Sequence, residues 1–183
     1  MKTIGIVGMQ ASGKTVASKI GEAMGIRVIR MGDLVREEIL KHGMKINEET
    51  IAKFASSMRQ KEGMDALAKR TVQRVRALYE SEKAVIIDGI RGGEEAKLFR
   101  KEFGGNFKLI AIIASPRVRY KRVKTRKRED DAIDMQIFTR KDERESSWGM
   151  EEAIALADYI IRNEGTIEEF EADVRRILEE AAR

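Results

Sequence analysis

One eight-residue stretch constrains this chain more than any other: Gly8-Met9-Gln10-Ala11-Ser12-Gly13-Lys14-Thr15. It fits G-x-x-x-x-G-K-[ST], the spacing of a loop that wraps a polyphosphate. Its setting suits that role. Residues 3–7 form a short β-branched apolar run and read as a buried strand. Residues 15–24 carry apolar side chains at helical spacing and close on Gly25. Backbone N–H groups must surround the anion, so the loop needs glycine where a side chain would collide. The helix that follows turns its positive end toward the charge. On this reading Gly8, Gln10, Ala11, Ser12, Gly13 and Val16 form the cradle. Lys14 reaches the β- and γ-phosphates of a bound ATP, and the Thr15 hydroxyl binds Mg²⁺. The plainer alternative is a glycine-rich turn that starts a helix, with Lys14 solvated.

At 183 residues the chain reads as one domain, long enough to bury a core without covalent staples. It has no cysteine, which excludes disulfides and thiolate metal sites. His42 is its single histidine, which excludes a histidine-rich metal site. No apolar run approaches membrane-span length, and residues 1–3 lead directly into a strand, so a soluble cytoplasmic protein is expected. The net charge of +5 suits anionic small molecules and nucleic acid alike, and so does not choose between them.

Apolar runs recur at 4–7, 26–29, 84–87, 109–113 and 159–161, with helical patterns between them. This implies an α/β fold of three layers, of the P-loop NTPase type: a five-stranded, mostly parallel sheet with helices on both faces. The spacing is uneven. Some fifty residues separate the second and third runs, and they read as helices over 33–41, 48–61 and 64–79. That predicts a helical acceptor-binding insert over 31–82, a core made of 1–30, 83–126 and 148–183, and a basic lid over 127–147. Asp88 closes the third run, where an acid below a phosphate loop holds Mg²⁺; many strands also end in plain Asp-Gly turns.

Residues 117–128 are densely basic, an acidic polar stretch follows, and Arg140, Lys141, Arg144 and the lone Trp148 come next. Such a run is either a solvated helix face or a lid that brings cations over transferring phosphates. Arg122, Arg126, Arg140 and Arg144 are the candidates for the second role. Near the end, Thr166-Ile167-Glu168-Glu169 forms a capping box for a last helix. The Asn163-Glu164-Gly165 turn before it is either a rest for a nucleotide base or a simple left-handed turn.

In order along the chain, the phosphate loop, Met31-Gly32-Asp33-Leu34-Val35-Arg36, Asp88-Gly89-Ile90-Arg91, the Arg122/Arg126 pair and the Asn163 turn resemble the nucleoside monophosphate kinases, adenylate kinase especially. Residues 157–166 are more similar to dephospho-coenzyme A kinase. Taken whole, the chain resembles an archaeal family of adenylate-kinase-related, dephospho-coenzyme-A-kinase-like proteins. The resemblance implies ATP as donor, with Mg²⁺. It places Asp33 and Arg36 among acceptor-binding residues, Arg91 as the clamp on an acceptor phosphate, and Arg126 with Arg140 or Arg144 as transition-state arginines. It implies a small acceptor that bears a phosphate or a hydroxyl. Two departures fall on the acceptor side: Met31 stands where adenylate kinases carry a hydroxyl residue, and their D-G-F-P-R turn becomes Asp88-Gly89-Ile90-Arg91-Gly92.

Phosphoryl transfer from Mg·ATP to a nucleotide or nucleotide-like acceptor is therefore the expected activity, with Lys14, Asp33, Arg91 and the lid arginines as its catalytic set. An ATPase with an assembly or regulatory role and no small acceptor is the alternative. A nucleic-acid module is a third reading. Against it, aromatic residues make up 5% of the chain and only Tyr120 interleaves the basic run.

Overall fold

In a computed structural model of the chain, residues 1–126 and 134–183 are described, apart from the side chains of Glu48 and Arg126. The sheet is wholly parallel. Its strands are β1 (Lys2–Val7), β2 (Arg27–Arg30), β3 (Ala84–Ile90), β4 (Phe107–Ile113) and β5 (Tyr159–Arg162), in the order β2-β3-β1-β4-β5. All five carboxyl ends therefore meet one edge, where open parallel sheets place their ligands. In the central register Ile4 lies opposite Ile86, and Ile6 opposite Asp88.

Alternation along the strands divides the core in two, because successive side chains point to opposite faces. Ile4, Ile6, Ile86, Ile110 and Ile112 pack beneath α1 (Lys14–Ala23) and α9 (Ile167–Ala181). Val7, Val85, Ile87, Phe107 and Leu109 face the other layer. That layer holds α2 (Met31–Lys41), α3 (Glu48–Glu62), α4 (Ala66–Arg76), α5 (Gly93–Phe103) and a short α8 (Met150–Ala155). Helices α6 (Pro116–Arg126) and α7 (Met135–Ser147) lie against the phosphate loop, with Val123 and Phe138 packed beside Ala11.

The strands fall where the apolar runs place them: β2 is shifted by one residue, and the other four are extended by one to three. The final helix starts at the expected cap: Thr166 Oγ1 accepts from Glu169 N–H at 3.2 Å. The expected lid differs from a simple basic stretch. Residues 127–133 lie outside the described residues, and from Asp134 the chain forms α7, whose first turn is capped by Asp134 Oδ1 accepting from Gln136 N–H at 2.6 Å. No helix among the described residues is long and apolar enough to cross a membrane.

Candidate active site

The loop between β1 and α1 is held in a conformation that ordinary residues resist. Gly8 has φ +152° and Gly13 φ +122°. A methyl group at Gly8 would collide with the Ile112 carbonyl oxygen, and one at Gly13 with the Asn163 amide and the Phe170 ring. Ala11 adopts φ +57°, a left-handed conformation that costs an alanine about 1 kcal/mol. The result is a row of amides turned outward. The N–H groups of Ala11, Gly13, Lys14 and Thr15 find no acceptor among the described residues. Ser12 Oγ is buried and also takes no partner there. Orphan donors at a helix N-terminus form a site for an anion.

Lys14 lies across this row. Its Nζ donates to the carbonyls of Gly8 at 2.5 Å and Met9 at 2.9 Å. Burial, and then the nearby Arg91 charge, lower its pKa to about 8. Asp88, at the carboxyl end of β3, has Oδ2 2.9 Å from the Ser18 hydroxyl on α1. Asp88 and Thr15 border the same cleft, so a hydroxyl and a carboxylate suited to Mg²⁺ face the loop together. The orphan amides and this oxygen pair fit a magnesium-bound triphosphate.

The cleft measures about 950 Å³. From the loop side Gln10, Ala11, Gly13, Lys14, Thr15 and Val16 line it; from the other side Asp33, Arg36, Asp88 and Arg91 do. Arg122 closes one end, its Nη2 donating to the Asn163 carbonyl and to Asn163 Oδ1, both at 3.0 Å. Burial lowers the Arg122 pKa. Asn163 is buried and donates from Nδ2 to the Ser12 carbonyl at 2.8 Å, so it braces the loop from behind. It also borders a recess of about 310 Å³, together with Gly13, Val16, Arg122, Gly165 and Ile167. Gly8 and Ser12 shape the loop from beneath rather than lining the cleft. Asp33 is half exposed and only 3.8 Å from Arg36, a loose pair.

The lid arginines sort differently from expectation. On α7 the inward face is Phe138, Lys141, Asp142 and Glu145, one stripe at helical spacing. Lys141 and Glu145 therefore border the cleft, whereas Arg140 is exposed and Arg144 leans on the Trp148 ring, 5.7 Å from its centroid. Neither arginine lines the cleft, because each sits one position, about 100° of helix, off that stripe. The side chain of Arg126 lies outside the described residues.

Several residues that sequence reasoning passed over complete the site. Glu145 pairs with the Arg91 guanidinium. Glu95 on α5 accepts from the Arg91 backbone N–H at 2.8 Å and from Arg59 Nη2 at 2.8 Å. Arg59 in turn lies over the Trp148 ring at 4.2 Å. Asp142 takes both guanidinium nitrogens of Arg119, at 2.9 and 2.6 Å, and the Gln10 amide at 3.1 Å, tying α6 and α7 to the loop. Arg119 and Arg122, two members of the basic run, are thus turned inward onto protein partners.

The chain has relatives among known proteins. A family model described as an AAA domain matches residues 4–149. A UPF0200 protein of Methanosarcina mazei is 46% identical over 178 residues, which is 97% of this chain and 94% of that one. The chain belongs to the UPF0200 family. A UPF0200/UPF0201 protein of Archaeoglobus fulgidus is 43% identical over 183 residues, and there the chain spans 57% of the relative's length. Among solved structures, a shikimate kinase from Bacteroides thetaiotaomicron superposes with a TM-score of 0.59 at 15% identity, with 97% of each chain covered. A gluconokinase from Sinorhizobium meliloti gives 0.57 at 15% identity, covering 98% of this chain and 94% of that one. At such identities the likeness is one of fold, and the fold is that of the P-loop kinases.

Proposed function

We propose that this UPF0200 protein is an ATP-dependent phosphotransferase that passes the γ-phosphate of Mg·ATP to a small acceptor, nucleotide or nucleotide-like in character. One observation carries the reading: an anion cradle with unpartnered amides, a magnesium-suited pair and three acceptor-side charged residues converge on one cleft. In this reading α2–α4 form the acceptor-holding lobe and residues 127–147 the lid.

The loop amides and Lys14 bind and orient the donor phosphates, with Lys14 exchanging its loop carbonyls for phosphate oxygens. Thr15 and Asp88 would hold Mg²⁺, which when bound neutralises charge on those oxygens. Arg122 and Asn163 border the recess suited to the nucleoside end of the donor. Arg36 and Arg91 hold the acceptor, and Arg91 and Lys141 face the charge that spreads over the transferring group. Such a transfer depends on positioning and charge neutralisation rather than on a covalent intermediate. The kinase fold of the gluconokinase and shikimate kinase neighbours supports this class of reaction. So does the inward turn of Arg119 and Arg122, which removes two cations from any nucleic-acid face.

The test is a panel of nucleosides, nucleoside monophosphates and dephospho-coenzyme A incubated with Mg·ATP and read by mass spectrometry. A phosphorylated product supports the proposal. Hydrolysis to ADP with no product from any acceptor supports an ATPase instead. Asp33→Asn then separates acceptor types: lost turnover with intact ATP binding indicates a hydroxyl acceptor served by the Asp33 carboxylate, and unchanged turnover removes Asp33 from the chemistry.

A further inference from the structure

Two buried carboxylates, Glu95 and Glu145, and the part-buried Asp142 lie about the cleft, and Glu95 and Asp142 are fully used. Glu95 takes Arg59 on one oxygen and the Arg91 N–H on the other. Asp142 takes Arg119 on both oxygens and Gln10 on one. Glu145 differs. Its side chain is 2% exposed and it lines the cleft. Oε1 takes the Arg91 guanidinium, while Oε2 is buried and takes no hydrogen bond from any described residue. A buried carboxylate with a bare oxygen is poorly satisfied for a purely structural ion pair. Burial pushes the Glu145 pKa up, but Arg91 and Lys14, with Lys141 and Arg144, outweigh it and hold the carboxyl ionised.

Its two principal partners are the cations that the proposed reaction would turn toward phosphate. Lys14 heads the phosphate loop, and Arg91 stands opposite within reach of its charge. Asp88 already places one negative charge in this cluster. A phosphoryl group entering between Lys14 and Arg91 would meet Glu145 as a second fixed anion, and both cannot keep Arg91.

We infer that Glu145 is an internal counter-anion: it occupies Arg91 in the resting protein, and a phosphate that reaches Arg91 must displace it. The inference rests on the reading of the cleft as a triphosphate site. The bare Oε2 marks a pair that can be given up, where the saturated Glu95 and Asp142 pairs mark ones that stay. A ligand's apparent affinity is its intrinsic affinity reduced by the fraction of protein in the competent state. Glu145 therefore sets how strongly phosphate is held and weakens every ligand that uses Arg91.

Glu145→Gln tests this, because it keeps the shape and one acceptor for Arg91 while removing the charge. The ligand-free variant should melt lower than the wild type and recover on addition of inorganic tripolyphosphate. Its affinity for Mg·ATP, measured by calorimetry, should rise by about tenfold or more. Glu145→Ala, which removes the carboxylate altogether, should tighten binding as well, and serves if the glutamine variant does not fold. Glu95→Gln also removes a carboxylate beside Arg91, but one that holds its backbone, and should give no gain. Unchanged or weaker Mg·ATP binding in a folded Glu145 variant overturns the inference, as does an equal gain from Glu95→Gln. If the wild type itself binds no Mg·ATP, the proposed function fails first, and that result is distinct.

Discussion

Lys14 offers a direct view of the phosphate site through protons. In the resting protein its pKa is about 8, against an ordinary value of 10.5, because burial and Arg91 oppose its charge. A bound triphosphate reverses that field and returns Lys14 to full protonation. Above pH 8 the resting protein therefore holds fewer protons than the complex, so binding takes protons up and weakens as pH rises. At a pKa of about 8 the uptake is about 0.1 proton at pH 7, about 0.5 at pH 8 and about 0.9 at pH 9. The same depression acts on folding. The folded chain binds fewer protons than the unfolded one between about pH 8 and 10.5, so the stability penalty from Lys14 is full below pH 8 and is relieved as pH rises through that window. Calorimetric titration of Mg·ATP in buffers of different ionisation enthalpy measures the uptake. Lys14→Arg is the control, since a guanidinium stays charged and should abolish the pH dependence of uptake. An uptake that stays flat from pH 7 to 9 in the wild type, or one that persists in Lys14→Arg, would refute the placement of Lys14 against the phosphates.

Three other outcomes follow from the same contacts. Asn163→Ala removes the amide donated to Ser12 O at 2.8 Å and leaves the part-buried Arg122 contact half-made; stability to urea should fall by about 1–3 kcal/mol, and nucleotide affinity should fall with it. Arg59→Met leaves Glu95 buried without its partner, and chemical denaturation should show a loss of about 3–5 kcal/mol, most of it recovered in the Arg59→Met/Glu95→Gln double variant. Asp88→Asn removes the carboxylate suited to Mg²⁺ but not the bulk beside Ser18; the Mg²⁺ concentration for half-maximal turnover should rise by about 10–100-fold, with the melting temperature little changed.

The phosphate loop was legible because its constraints are local. Gly8 and Gly13 occupy left-handed backbone, and Lys14 and Thr15 follow at fixed positions on the first helical turn. The strands were legible because both faces of a parallel sheet are covered, so Ile4, Ile6, Val85, Ile86 and Ile110 stand in nearly unbroken apolar runs. Helix α7 was not legible. Its inward stripe is Phe138, Lys141, Asp142 and Glu145, and three of these four are charged, so hydrophobic periodicity carries little trace of it. Without a helix there, residue type alone points to Arg140 and Arg144, and the rotation that favours Lys141 leaves no trace in the sequence. Glu145, Glu95 and Arg59 belong to pairs separated by 36 to 54 positions in sequence, joined only when α3, α5 and α7 close on the turn that carries Arg91. On the other side of the cleft Asp33, Arg36 and Arg91 belong to short motifs whose order along the chain is legible, and the three line it together.

The central claim concerns where the γ-phosphate goes. The most direct measurement supplies ATP labelled at the γ-phosphate, with Mg²⁺, to the purified protein together with a protein-free small-molecule extract of cells, and resolves the label chromatographically. Label is expected in a new small molecule, absent with Lys14→Met and with the extract omitted. Label found only in inorganic phosphate, at a rate the extract does not change, would contradict it.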